Sequence, residues 1–168
     1  KELENDEKEY KNVLNSIKEY SLDITKEVLG NFENSIEKKM NNIFFEIDMI
    51  CKGIFYLKDI SEKTRDKLVS YGEIISTTII FEYFIKKYPH IKVSLIDTRK
   101  FVKTNSNYGN ASPNFIQTDK KINEFYKNNC DINLFIVTGF ISSDIDNNVT
   151  TLGRGGGDYT AAIFGHCL

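Results

Sequence analysis

The sequence contains little cysteine and no paired cysteine motif. Its three cysteines, Cys51, Cys130 and Cys167, are odd in number and widely spaced, and no C-x-x-C pair occurs among them. A disulfide framework uses an even set of cysteines, and a structural zinc site uses closely spaced ones. We therefore expect neither, and the sequence indicates a reducing, cytoplasmic compartment.

The sequence also lacks a strong charge of either sign. A formal net charge of −2 over 168 residues creates no field that gathers nucleic acid, and no basic face with interleaved aromatic residues stands out. No signal peptide opens the sequence, and its longest apolar runs are too short to span a bilayer. We therefore expect neither a nucleic-acid partner nor a membrane partner.

The residues that are present have the composition of a globular domain. Hydrophobic residues make up 40% and charged residues 27%, which excludes a disordered tail, and 168 residues suffice for one core. The sequence starts without methionine inside a charged helical pattern and stops at Leu168 inside another, with no C-cap signal. We therefore expect one domain that is a piece of a longer chain.

Apolar periodicity predicts a helical first part and a mixed second part. Residues 1–60 are predicted to form two or three helices, with a break at Gly30 and residues 31–34, and they contain no cofactor motif. The remaining predictions are helices over 61–69, 70–87 and 119–128, strands over 92–97 and 134–141, a loop over 104–113, and a hairpin turning at 142–148. Helices interleaved with buried strands predict an α/β fold with a largely parallel sheet between helical layers.

A glycine-rich stretch between strand-like and helix-like residues is the strongest candidate site. Residues 150–162 read T-T-L-G-R-G-G-G-D-Y-T-A-A. Gly155, Gly156 and Gly157 let backbone N–H groups approach an anion beside a helix N-terminus. Arg154 suits a carboxylate or phosphate, and Asp158 can cap the helix, pair with a cation or organise a metal-nucleotide. The spacing matches neither a Walker loop nor a Rossmann turn, and a plain surface turn remains the alternative.

Two further stretches have local structural interpretations. Ser70-Tyr71-Gly72-Glu73 has the S-x-x-E spacing of a capping box, which alone predicts that Ser70 begins a helix. Asp144, Asp146 and Asn148 mimic the start of a calcium loop. Calcium binding is not expected, because Val149 and Gly155 stand where such a loop requires glycine and glutamate.

Together the motifs resemble those of the aspartokinases. Residues 150–162 are similar to the family signature T-T-L-G-R-G-G-S-D-Y-T-A, with Gly157 in place of the usual serine, and they follow a G-F-I segment at 139–141. Residues 70–73 resemble the family's S-x-G-E motif, and residues 97–99 resemble its D-x-R at the end of a strand. The resemblance covers about residues 54–168, whereas the helical portion before it carries no signature.

The resemblance implies a three-layer α/β/α amino-acid kinase (carbamate kinase-like) fold, present here in part. Residues 1–60 would form the helical portion of one catalytic domain and residues 61–168 the α/β portion of its substrate lobe. The implied reaction is phosphorylation of the β-carboxylate of L-aspartate by ATP with Mg²⁺, for lysine, threonine and methionine synthesis. The full-length protein is expected to be a homo-oligomer, and fusion to homoserine dehydrogenase is left open.

The resemblance also implies roles for the substrate-binding residues. Arg154 would bind a substrate carboxylate, while Glu73 would bind the aspartate ammonium. The neighbouring Ser70 and Gly72 belong to the same motif and are expected to line the substrate. None of these residues is expected to be a metal ligand.

For catalysis, the resemblance assigns the phosphate loop to Gly155, Gly156 and Gly157, whose backbone would line the transferring phosphoryl group. Asp158, with Arg154, would be catalytic and would organise the site through a lysine outside residues 1–168. The nucleotide lobe would also lie outside, so this segment is expected to be inactive alone. The competing interpretation is a non-catalytic amino-acid-binding or interaction module derived from a kinase.

Overall fold

A computed structural model describes the backbone of residues 2–30 and 34–168 and the side chains of residues 7–30 and 35–168. The chain forms two compact units, Lys1–Ile60 and Ser61–Leu168.

The first unit consists of two helices in the part that the structure describes. Helix α1 spans Glu2–Leu29 and helix α2 spans Asn34–Leu57, and they pack on each other. Gly30 ends α1 with a φ of 65°, a conformation that glycine adopts without strain. The predicted break at Gly30 is therefore confirmed, although residues 31–33 lie outside the described residues. Met40 and Phe44 of α2 are buried in this unit.

The second unit opens with one long helix where the sequence predicted two. Helix α3 spans Glu62–Lys87, and its N-cap is Ser61, whose side chain accepts a hydrogen bond from the backbone N–H of Thr64. The predicted boundary near Val69 and the predicted capping box at Ser70 are wrong. The helix continues because the apolar face persists beyond residue 70 and outweighs the roughly 1 kcal/mol cost of Gly72 in a helix interior.

Two small sheets follow α3. Strands β1 (Val93–Ile96) and β2 (Leu134–Val137) are parallel, with Val93 opposite Leu134 and Ile96 opposite Val137. Strands β3 (Ile141–Ser143) and β4 (Val149–Thr151) form the predicted antiparallel hairpin. The other elements are a short 3-10 helix at Thr98–Lys100, helix α4 at Phe115–Lys127 and helix α5 at Gly156–Cys167.

The apolar run 134–141 is not one strand. Strand β2 ends at Val137, and Phe140 has a φ of 68°, which turns the chain before β3 begins at Ile141. Strand β2 is half-buried along its whole length, in contrast to the predicted coverage on both faces. Apolar composition marks burial, but it does not mark the residue at which a strand bends.

Helix α4 also begins earlier than predicted. Its first residue is Phe115, because the side chain of Asn114 caps it by accepting a hydrogen bond from the backbone N–H of Gln117. The predicted start at Asp119 followed the apolar face and missed this cap.

Helix α3 is long and apolar enough to cross a membrane by length and composition alone, with a mean hydropathy of 1.3 over an 18-residue window. The expectation that no stretch reaches this limit is therefore corrected. A helix in the core of a folded domain passes the same test, and α3 packs against β1, β2 and β4. It also buries the polar side chains of Asp66, Ser70 and Thr77.

A compact apolar cluster fixes the elements around the glycine-rich stretch. Leu152, just after β4, packs with Ile163 and Cys167 of α5 and with Val102 and Ile122, and all five are buried. The turn between Leu152 and α5 is thus held by packing on both sides.

Candidate active site

The glycine-rich turn uses left-handed backbone at two of its glycines. Gly153 and Gly155 both have a φ of 75°, and Gly155 is the N-cap of α5 with no side chain to cap the helix. A Cβ added at Gly153 would lie 2.7 Å from Oδ1 of Asn110, so the turn is also pressed against the preceding loop. The uncapped first turn of α5 leaves backbone donors directed at this end of the helix.

Gly156 is required by close packing. A Cβ at this buried position would lie 2.9 Å from Cδ2 and 3.1 Å from Cα of Phe140. The backbone N–H of Phe140 donates to the carbonyl of Gly156 at 3.3 Å and to Oγ1 of Thr160 at 3.0 Å. The strained residue Phe140 is therefore held by the first turn of α5.

Glu73 reaches this turn from α3. Its Oε1 accepts a hydrogen bond of 2.5 Å from the backbone N–H of Gly139. A Cβ at Gly139 would lie 3.1 Å from Cα of Gly157 and 3.5 Å from Oε1 of Glu73. Two motifs that the sequence separates by more than sixty residues thus meet at one place, and a side chain at Gly139 would require Gly157 to shift by a few tenths of an ångström.

Arg154 and Asp158 are exposed on either side of the three glycines. Neither forms a hydrogen bond or ion pair with any residue that the structure describes. Asp158 lies in the first turn of α5, where the helix dipole favours a negative charge. Both side chains are therefore available to a ligand at this turn.

The other two residues of the S-x-G-E motif lie on α3. Ser70 is fully buried, and its hydroxyl donates to the carbonyl of Lys67 at 2.7 Å. Gly72 is exposed and has open space where a side chain would lie. Substrate contacts by these two residues stay predictions, and the hydroxyl proton of Ser70 is already used inside the helix.

Asp66 is a structural carboxylate that the sequence analysis missed. It is buried, and its Oδ2 accepts hydrogen bonds from the backbone N–H groups of Thr151 at 2.8 Å and Gly109 at 2.9 Å. Its Oδ1 accepts from the Thr151 hydroxyl at 3.1 Å. A signal was present, because Asp66, Ser70, Glu73 and Thr77 follow one another at helical spacing on one face of α3.

The D-x-R motif forms an internal pair at the end of β1. Arg99 donates to both carboxylate oxygens of Asp97, at 2.8 and 2.7 Å, and its backbone N–H donates to Oδ1 at 3.1 Å. Burial acts to raise the pKa of Asp97, but the bonds from Arg99 outweigh it and hold the pKa below its ordinary value. The pair stays charged and fixes the start of the 3-10 helix.

The calcium-like stretch is instead a closed turn between β3 and β4. Asp144 is buried and accepts hydrogen bonds from the backbone of Asp146 and Asn148, and from the side chains of Asn148, Tyr108 and Ser106. Burial alone would raise the pKa of Asp144, yet these hydrogen bonds keep it below its ordinary value. The carboxylate is occupied by protein donors.

Comparison with known proteins identifies the family. The model of the amino acid kinase family matches residues 4–168, which includes the helical portion without a motif of its own. The chain belongs to the amino acid kinase family.

Two curated members of this family match most of the chain. Lysine-sensitive aspartokinase 3 of Escherichia coli (strain K12) is 33% identical over 141 residues, covering 76% of this chain and 29% of that protein. Bifunctional aspartokinase/homoserine dehydrogenase of Buchnera aphidicola subsp. Acyrthosiphon pisum (strain APS) is 30% identical over 143 residues, covering 84% of this chain and 17% of that protein. The chain thus spans less than a third of either relative.

A solved structure confirms the fold. Escherichia coli aspartokinase III, in complex with aspartate and ADP, superposes with a TM-score of 0.80 at 26% identity. The match covers 92% of this chain and 33% of that one. The predicted partial amino-acid kinase fold with a helical N-terminal region is therefore correct, and the likeness extends beyond the stretch that the motifs cover.

Proposed function

We propose that the protein carrying this chain is an aspartokinase, which transfers the γ-phosphoryl group of ATP to the β-carboxylate of L-aspartate. The observation that carries the proposal is the meeting of Glu73, Gly139 and Gly157 at the turn that also carries Arg154, whose exposed side chain has no partner among the described residues. An anionic group and a cationic group at one glycine-lined turn suit a ligand that has both an ammonium and carboxylates. The names of both curated relatives and the aspartate and ADP in the solved relative agree with this ligand.

The residue roles follow from charge and exposure. Arg154 clamps a carboxylate of aspartate with its planar guanidinium, and Glu73 accepts the ammonium with the oxygen that Gly139 leaves free. The backbone of Gly155, Gly156 and Gly157 lines the transferring phosphoryl group at the positive end of α5, and the N–H of Gly156 holds the turn by donating to the carbonyl of Gly153 at 3.1 Å. Phosphoryl transfer depends mainly on such positioning and on neutralising charge.

The nucleotide ATP is the second substrate of the proposed reaction. Among residues 7–30 and 35–168, no group of three His, Cys, Asp or Glu side chains could hold a metal ion by itself. When bound, Mg²⁺ would be held mainly by the nucleotide phosphates and water. Asp158, exposed at the turn, would position a cationic side chain supplied from outside residues 1–168.

We also propose the compartment, the oligomeric state and the pathway of the full-length protein. The full-length protein acts in the cytoplasm as a homo-oligomer in the synthesis of lysine, threonine and methionine, without a membrane or nucleic-acid partner. The formal charge of −2 agrees with the absence of a nucleic-acid partner, and the aspartokinase names of the relatives agree with the amino-acid pathway.

A hydroxylamine trap tests the activity. The purified full-length protein is incubated with ATP, Mg²⁺, L-aspartate and hydroxylamine, and the aspartyl hydroxamate is measured. We expect turnover that Asp158→Asn reduces strongly, and Asp146→Asn, at the exposed β3–β4 turn, is the matched control. Binding of L-aspartate without any hydroxamate would reject the proposal and favour the non-catalytic amino-acid-binding module.

A further inference from the structure

A basic cavity lies at the opposite end of the β3–β4 hairpin from the glycine-rich turn. Its volume is about 380 Å³, and four cations line it, namely Arg99, Lys100, Lys103 and Lys121. Ser143 and Asn147 of the hairpin complete the polar wall. This size is within the range of small-ligand pockets, which is roughly 300–1,000 Å³.

Lys103 is the unusual member of this set because it is buried. Its Nζ donates hydrogen bonds of 2.7 Å to Oγ of Ser143 and of 2.7 Å to Oδ1 of Asn147, and both acceptors are neutral. No carboxylate lies within ion-pair distance of this ammonium among the residues that the structure describes. An ammonium has three donors, so one remains for a ligand.

The neighbouring acids offset only part of the positive charge of the cavity. Both carboxylate oxygens of Asp97 accept hydrogen bonds from Arg99, so Asp97 offsets the charge of that guanidinium. Asp144 attracts Lys103 over a longer distance and accepts five hydrogen bonds from neutral protein donors. Burial, and then repulsion from Lys121, lower the pKa of Lys103, which is the environment that a bound anion would relieve.

The cavity is separate from the candidate active site. Strands β3 and β4 connect the two, with Asn147 in the turn at one end and Gly139 and Gly153 beyond the strands at the other. Among the residues that the structure describes, none lines both places. The function proposed above therefore leaves this cavity without a role.

We propose that this cavity is a binding site for a small phosphate-bearing anion, held by Lys103 on the buried side and by Lys100 and Lys121 at the rim. Four cations against two carboxylates, Asp97 and Asp144, leave two positive charges in excess, which favours a ligand with two negative charges such as a phosphate group. Buried and exposed lysines together can neutralise and orient such a group, as point charges with rotatable donors.

Calorimetric titration of the full-length protein tests this site. Inorganic phosphate and glycerol 3-phosphate are titrated in separate experiments at fixed ionic strength, which distinguishes free phosphate from a phosphate ester. We expect Lys103→Met, which matches the side chain in volume, to weaken binding about tenfold or more. The matched control is Lys120→Gln, which removes the exposed neighbour of Lys121 on α4 and should leave the affinity unchanged.

Two further variants keep the result unambiguous. Arg154→Ala should retain the phosphate binding that depends on Lys103, because Arg154 belongs to the other end of the hairpin. Lys121→Gln alters only an exposed side chain and should weaken binding even if Lys103→Met does not fold. Equal affinity in wild type and in Lys103→Met, or no change in Lys121→Gln, would overturn the proposal, as would the absence of binding by either probe.

Discussion

The carboxylate of Glu73 lies 2.5 Å from the backbone nitrogen of Gly139 and accepts its hydrogen bond. This bond ties the middle of α3 to the bend between β2 and β3, directly beside the start of α5. Glu73 therefore has two roles, because the carboxylate that holds this bend is also the proposed partner of the substrate ammonium.

Stability measurements on Glu73 variants test its structural role, the hydrogen bond to Gly139. Glu73→Gln keeps a neutral acceptor for Gly139 and should lower the free energy of unfolding by about 1 kcal/mol, whereas Glu73→Ala should lower it by about 1.5–3 kcal/mol. Urea denaturation followed by circular dichroism measures both. Glu62→Ala, an exposed glutamate in the first turn of the same helix, is the control and should lose no more than about 0.5 kcal/mol. Equal losses for Gln and Ala would argue that the Gly139 bond contributes nothing.

Arg154 is expected to act on one substrate only. Arg154→Ala should raise the KM for aspartate roughly ten- to a hundredfold, the equivalent of one charge-assisted pair, with little change in the KM for ATP. Stability should not change, because the side chain is exposed and has no partner among the described residues. Steady-state kinetics with Arg65→Ala, an exposed arginine of α3, as control measures this. Equal increases for both substrates would refute the carboxylate role.

Gly156 and Gly157 are adjacent but differ in whether they tolerate a side chain. Gly156→Ala should lose about 1–3 kcal/mol of stability, because its Cβ would lie 2.9 Å from Phe140. Gly157→Ser should be neutral or stabilising by up to about 0.5 kcal/mol, because the site is open and serine is the better helix former. Thermal unfolding of both variants compares them. A large gain of activity in Gly157→Ser would instead show that the hydroxyl is catalytic.

Asp144 should make the free energy of unfolding fall as the pH is lowered. Its pKa is lowered in the folded state, so its stabilisation is complete above the pKa of the unfolded chain and is lost as the pH falls towards the folded value. Asp144→Asn should therefore reduce stability at neutral pH and flatten its decline below about pH 4. Urea midpoints from pH 7 to pH 3 measure this, with Asp146→Asn as control. An unchanged slope in Asp144→Asn would contradict the assignment.

Local patterns predicted the elements that local chemistry determines. The strand over 93–96, the hairpin from Ile141 to Thr151 and the helix that begins within the three glycines all follow from apolar spacing and turn residues. The S-x-x-E spacing at Ser70 misled because a capping box and a helix interior can share the same letters. The start of α3 was decided upstream, by Ser61.

Long-range relationships were beyond such patterns. Asp66 accepts a hydrogen bond from the backbone N–H of Thr151, which is 85 positions away. No local pattern around either residue predicts this contact. Phe140 has a φ of 68°, in the left-handed region, and a bulky aromatic residue does not predict this conformation. The motif resemblance paired Glu73 with the glycine-rich turn, but only the fold showed that Gly139 lies between them.

The most direct measurement compares L-aspartate with succinate, which has the two carboxylates without the amino group. Calorimetric titration of the full-length protein should show that wild type prefers aspartate and that Glu73→Gln loses this preference. Arg154→Ala should weaken both ligands and keep the preference. If Glu73→Gln discriminated between aspartate and succinate as well as wild type does, Glu73 would not bind the ammonium and the proposed aspartate site would be wrong.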